Sequence, residues 1–125
     1  MGLDFQHERR LRARGDFDRV FRKGRRLEGR QFVMLALQNG KSEHRLGIAT
    51  GRKLGGAVVR NRARRLLRES FRRLAPRAGQ GFDVVLVARA DIVGRTQSEV
   101  DREFKERVLR LNLHGRRGSS ASSPH

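Results

Sequence analysis

The chain has 125 residues, the length of one domain, and carries 30 Lys and Arg against 13 Asp and Glu, a formal net charge of +17. A charge of that size makes attraction to a polyanion hard to avoid, and the candidates are a nucleic acid and an anionic membrane surface. No cysteine is present, which excludes disulfides and thiolate metal sites and is compatible with the cytosol; no apolar run has transmembrane length, and residues 1–17 lack the apolar core of a signal peptide.

Met1 to Arg14 is basic and aperiodic and reads as a flexible arm. Gly2 could suit a myristoylation pattern, but Gln6 stands where that pattern needs Ser or Thr. Asp16 is placed to cap a short helix over Phe17 to Lys23, ended by Gly24. Phe17, Val20 and Phe21 share one face of it; on spacing alone Phe17 and Phe21 read as core more readily than as a stacking platform. Trp and Tyr are absent, so any base stacking falls to the seven Phe.

Arg30 to Gln38 is apolar on both alternating faces, with Val33, Leu35 and Leu37 on one and Phe32, Met34 and Ala36 on the other. A strand of that kind is covered on both sides. Asn39-Gly40 signals a turn, Lys41 to His44 a polar loop, and Arg45 to Thr50 a second strand expected to pair back on the first. Gly51 to Gly56 is a basic, glycine-rich loop before a helix, a setting that can cradle phosphate, although it fits neither nucleotide-binding fingerprint.

Ala57 to Leu74 is the most informative stretch. Val59, Ala63, Leu66, Leu67, Ser70, Phe71 and Leu74 recur at helical spacing on one face. Asn61, Arg65, Arg68 and Arg72 lie opposite, with Arg64 on one shoulder and Arg62 and Arg73 on the other. Seven arginines share this helix with one Glu, Glu69, which can brace Arg73 four residues on. A solvated surface helix and a nucleic-acid contact are both compatible with such a run, and the near-exclusive use of Arg opposite a clean core face favours the contact.

Pro76 and Gly79 to Gly81 break that helix, and Phe82 to Ala88 is the strongest strand in the chain. Arg89 to Gly94 is a turn region, and Ser98 is expected to open a last helix with Val100, Phe104, Val108 and Leu111 facing inward. From Asn112 the sequence is too poor in apolar residues to fold. The expected organisation is an arm over 1–14, one domain over 15–113 and a disordered tail over 114–125. The order α-β-β-α-β-α predicts an α+β single-domain sandwich of helices on a small sheet.

No catalytic set is visible. His7, His44, His114 and His125 are scattered, Asp16 and Asp18 point apart on a helix, and Ser70 lies on a core face. The residues alone describe a nucleic-acid-binding module. A general RNA chaperone or ribosomal protein shares that description, and a self-sufficient nuclease lacks the carboxylate or histidine set it would need.

Arg60-Asn61-Arg62, followed by Arg64-Arg65 and then Arg68-Glu69-Ser70-Phe71-Arg72, resembles the signature helix of the bacterial ribonuclease P protein family. GDFDRVFRKGRR, RQFVMLAL, RLGIAT, GAVVRNR and FDVVLVAR resemble the family's flanking segments in order and spacing, roughly from Leu11 to Leu113. Two departures stand out. Thr50-Gly51-Arg52-Lys53 replaces a Ser-Lys-Lys type sequence, and Leu35 occupies a position where the family can have a stacking Tyr.

The resemblance implies an RNA-binding subunit of an endoribonuclease that removes the 5′ leader of precursor tRNA, in the cytoplasm and without a membrane. The RNA subunit would carry the chemistry and bind most of the Mg²⁺; no catalytic residue is expected in this chain, and no protein-bound metal can be placed. The fold implied is an α/β sandwich with a left-handed β-α-β crossover around the arginine helix, of a kind shared with a ribosomal-protein domain. Arg60, Asn61, Arg62, Arg64, Arg65, Arg68 and Arg72 would bind the ribonuclease P RNA. Phe17, Phe21, Phe32, Arg52, Lys53 and Arg89 would bind the single-stranded leader, where unpaired bases can stack.

Overall fold

A computed structural model describes residues 9–11, 14–75 and 80–117, with the side chains of the last helix described as far as Leu111. Three helices pack on a five-stranded sheet of order β1-β4-β5-β3-β2. The strands are β1 (Arg9–Arg10), β2 (Arg25–Leu27), β3 (Phe32–Gln38), β4 (Arg45–Ala49) and β5 (Phe82–Ala88). The helices are α1 (Arg14–Lys23), α2 (Ala57–Leu74) and α3 (Gln97–Arg117).

β4 does not pair back on β3. β5 lies between them, antiparallel to β3 and parallel to β4. The Asn39-Gly40 turn therefore closes no hairpin. It is tied instead to the start of β5, with the Asn39 N–H donating to the Gly81 carbonyl at 3.1 Å and the Gly81 N–H to the Lys41 carbonyl at 2.7 Å. A turn signal is local, whereas the strand that fills the gap comes more than thirty residues later. β5 suits the centre because its residues are buried on both faces. β4, α2 and β5 form a β-α-β unit with its two strands side by side.

Both faces of the sheet are covered, as the apolar pattern of β3 requires. Phe32, Met34, Ala36, Leu46, Val84 and Leu86 face α2 and α3, meeting Ala63, Leu66, Leu67 and Phe71 from one and Val100, Phe104 and Val108 from the other. Val33, Leu35 and Val85 face α1 through Val20, with Leu11 beside them. Each fully buried Leu, Phe or Met here contributes about 1.5–3 kcal/mol relative to exposure.

α1 begins at Arg14, three residues earlier than the sequence suggests, so Asp16 lies in its first turn rather than at its cap. Its carboxylate is still well placed against the helix dipole. It accepts from Arg19 at 3.0 Å and from Arg45 at 3.4 Å. Arg45 also grips Asp83, with Nε 2.8 Å from Oδ1 and Nη2 2.6 Å from Oδ2. Burial disfavours the Asp83 charge, but hydrogen bonds from Arg45 and Asn39 outweigh it and hold the carboxyl below its ordinary range. By bridging Asp16 and Asp83, Arg45 ties the start of α1 to the sheet. Gly47 receives the ring of Phe17, whose Cζ would lie 2.6 Å from any added Cβ.

β2 is absent from the sequence reading because Arg-Arg-Leu is too short to show alternation. Arg9–Arg10 pairs parallel with β4, so the arm read over 1–14 carries regular structure at those two residues. α3 is opened by Thr96 rather than Ser98. The Thr96 N–H donates to Glu99 Oε1 at 2.9 Å and the Glu99 N–H to Thr96 Oγ1 at 3.2 Å, a reciprocal capping box. The helix runs to Arg117, past the expected start of the tail at Asn112. Expectations for residues 1–8, 12–13, 76–79 and 118–125 lie outside the described residues.

Candidate nucleic-acid interface

α2 is pinned to the core along one face, and the opposite face is held out rigidly. Ser70 and Leu67 are fully buried, and Asn61, Arg62 and Arg65 are exposed. The structure separates the arginines that the sequence treats alike. Arg60 donates to the Gly55 carbonyl at 3.0 Å and Arg62 to the Arg95 carbonyl at 3.0 Å. Arg64 donates to Asn61 Oδ1 at 2.8 Å and to Thr50 Oγ1 at 2.6 Å. These acceptors are neutral, so they orient the three guanidiniums and leave their charge intact.

Arg72 and Arg73 both engage Glu69, Arg73 as expected at four residues' distance. Hydrogen bonds, first from Arg72 and then from Arg73, hold the Glu69 carboxyl below its ordinary range. Arg65 and Arg68 make no hydrogen bond or ion pair with any described residue. They present complete guanidinium forks, the geometry that takes phosphate oxygens two at a time.

A second surface lies on the α1 side of the sheet. Register aligns Ala49, Val87 and Val33 in one row across β4, β5 and β3, with Gly47, Val85 and Leu35 in the next. α1 covers the second row. Ala49 and Val87 in the first remain half-buried, and beside them are the half-buried Phe17 and Phe21, which is 45 % exposed. This is a shallow apolar groove.

β4 and β5 run parallel, so they finish at the same end of the sheet. Arg52 and Lys53, exposed in a single 3-10 turn after β4, therefore share that end with Arg89, just beyond β5, and with the first turn of α2. Arg89 is exposed and pairs at 2.9 Å with Glu28, which also takes Arg26. The hydrogen bond from Arg26, and then that from Arg89, lower the Glu28 carboxyl.

Phe32 does not join this groove. It points to the opposite face of the sheet, has no exposed surface, and its ring lies 6.2 Å from that of Phe104. Alternation along β3 put Phe32 opposite Leu35, and the helices cover that face. Leu35 is itself only 1 % exposed beneath α1, so the position where the resemblance puts a stacking Tyr does not open on the groove. The sequence reading missed Ala49 and Val87, which only register with a distant strand brings side by side, and the pair of Arg26 on β2 with Glu28 just after it. Among the described residues no three His, Cys, Asp or Glu side chains form a cluster able to hold a metal ion. No helix among them is long and apolar enough to cross a membrane.

The family model described as Ribonuclease P matches residues 5–112. The chain belongs to the ribonuclease P protein family. The ribonuclease P protein component of Exiguobacterium sp. is 40 % identical over 111 residues, covering 89 % of this chain and 96 % of that relative. The solved ribonuclease P protein of Thermotoga maritima superposes with a TM-score of 0.72 at 34 % identity, over 82 % of this chain and 97 % of the other. That of Staphylococcus aureus gives 0.69 at 31 %, over 82 % and 94 %. As a member of that family, the chain is a subunit of an endoribonuclease.

Proposed function

We propose that this chain binds the ribonuclease P RNA through α2 and the 5′ leader of precursor tRNA through the groove beside α1, promoting removal of the leader. Arg65 and Arg68 carry the proposal. They are unpaired with any described residue, on a helix whose other face is locked in the core. Arg60, Asn61, Arg62 and Arg64 extend that contact, and Arg72 adds less because Glu69 already offsets its charge. In the groove, Phe17 and Phe21 stack on unpaired bases while Arg52, Lys53 and Arg89 meet the backbone. The two surfaces meet at the end of the sheet where α2 begins, so one rigid body holds both RNAs.

Asp16, Asp83, Asp101, Glu28 and Glu69 are each engaged by an arginine. On this reading Mg²⁺ is held mainly by the RNA. The protein's part is electrostatic: positive charge beside the RNA reduces the repulsion that Mg²⁺ otherwise screens. The cytoplasm is the compartment in which such a complex would act. The test is reconstitution with a bacterial ribonuclease P RNA and a precursor tRNA. The protein is expected to lower the Mg²⁺ requirement and to cleave nothing by itself. Accurate cleavage by the RNA-free protein overturns the reading.

A further inference from the structure

The connection between β2 and β3 is held from two sides. The Glu28 carbonyl accepts from Arg107 on α3, and the Gln31 N–H donates to Glu103 on the same helix at 3.1 Å. From the sheet, the Arg89 N–H donates to the Gln31 carbonyl at 2.9 Å, continuing the pairing of β5 with β3. At Gly29 the backbone lies so close to α3 that an added Cβ would sit 2.1 Å from Glu103 Oε2. A carboxylate carried on such a connection is in place before any ligand arrives.

That carboxylate is Glu28, and it gives one oxygen to each of two arginines. Oε2 accepts from Arg26 Nε at 2.5 Å and Oε1 from Arg89 Nη1 at 2.9 Å. Both arginines belong to the groove side of the sheet: Arg26 is in register with Leu35, and Arg89 comes two residues after Val87. All three side chains are about half exposed, so a ligand can reach the pairs. Past Glu28 the surface opens into a cavity lined by five carboxylates and four arginines, a region without the cation excess of the chain as a whole.

This differs from α2, where Arg65 and Arg68 have no carboxylate partner among the described residues. A phosphate that meets Arg89 replaces a carboxylate already there, so it gains only the difference between two similar ion pairs. Arg26 keeps its hold on Glu28 meanwhile, and the exchange strands no isolated carboxylate.

We propose that Glu28 is a positioning residue that holds Arg26 and Arg89 in ion pairs which a phosphate must displace, and so limits the affinity of the groove for single-stranded RNA. The proposal rests on the leader-binding reading above.

The experiment measures holoenzyme affinity for precursor and mature tRNA, and the affinity of the protein alone for a single-stranded oligouridylate. Glu28→Gln, which keeps the size and removes the charge, is expected to tighten binding of precursor tRNA and of the oligouridylate by about 2- to 5-fold. It is also expected to steepen the salt dependence of oligouridylate binding and to leave mature tRNA unchanged. Glu28→Ala is expected to act in the same direction. In a background of Arg26→Ala with Arg89→Ala, neither substitution at Glu28 is expected to change affinity, whereas a general effect of the added positive charge would persist there. Unchanged or weaker precursor binding in both Glu28 variants, or a gain that survives in that background, overturns the role of Glu28 while leader binding stands. Equal wild-type affinity for precursor and mature tRNA overturns both.

Discussion

Ser70 on α2 donates its hydroxyl to Asp101 on α3 at 2.6 Å, and this bond ties the arginine helix to the last helix. Gln97 joins them, donating to the Leu66 carbonyl at 3.0 Å and to Asp101 Oδ1 at 3.1 Å, and Arg73 closes the network on the other carboxylate oxygen. Burial raises the Asp101 carboxyl, but the bonds from Ser70, Arg73 and Gln97 outweigh it and hold it below its ordinary 3.8. The unfolded chain therefore takes up this proton more readily. The stability it contributes is complete above the ordinary value and is lost as pH falls through the folded one. Asp101→Ala is expected to cost about 1–3 kcal/mol at neutral pH by leaving the buried Ser70 O–H without an acceptor. Asp101→Asn should flatten the acid limb of a stability–pH curve measured by thermal denaturation.

Arg65→Ala and Arg68→Ala should each weaken binding to ribonuclease P RNA by about 1–3 kcal/mol. Each should also reduce the salt dependence of binding, because fewer counterions are released. Arg72→Ala should do less on both counts, since Glu69 already pairs with it. Titrations at several salt concentrations check the order; three equal losses would mean that Glu69 does not shield Arg72.

The three phenylalanines should separate. Phe21→Ala is expected to weaken precursor relative to mature tRNA by about 1–3 kcal/mol with little change in melting temperature. Phe32→Ala should cost about 3–5 kcal/mol of stability and affect both tRNAs alike. Phe17→Ala should show both effects, because its ring lies on Gly47 yet keeps an exposed side. Affinity for the two tRNAs, measured beside thermal melts, distinguishes them.

Leu35→Tyr tests whether the buried position can serve as a stacking platform. With 1 % exposure beneath Val20, the larger ring should overpack the site and cost about 1–3 kcal/mol, with no gain in leader affinity. Stronger precursor binding without lost stability would show that α1 lifts from the sheet.

Whatever repeats along a single element was legible in the sequence. The two faces of α2 and the double-sided burial of β3 follow from periodicity, and Leu66, Leu67 and Phe71 fall in the core where the pattern puts them. Whatever depends on a distant partner was not. Nothing in residues 30–50 announces that β5 will separate β3 from β4. Spacing gave Phe21 to the core, yet it sits at the edge of α1's contact with the sheet and keeps much of its surface. Arg65 and Arg72 are chemically identical in the sequence, and in the structure Arg72 is paired with Glu69.

The central place of β5 also sets an order of events. On a ribosome, residues 32–38 and 45–49 emerge well before residues 82–88, the strand that joins them. α2 emerges in that interval, its arginines repelling one another and its apolar face without a sheet to cover. Non-local pairing of this kind is slow. The cationic segment is thus made before it has a shape, and the surface that selects an RNA comes into being only when the last strand slides between two already waiting.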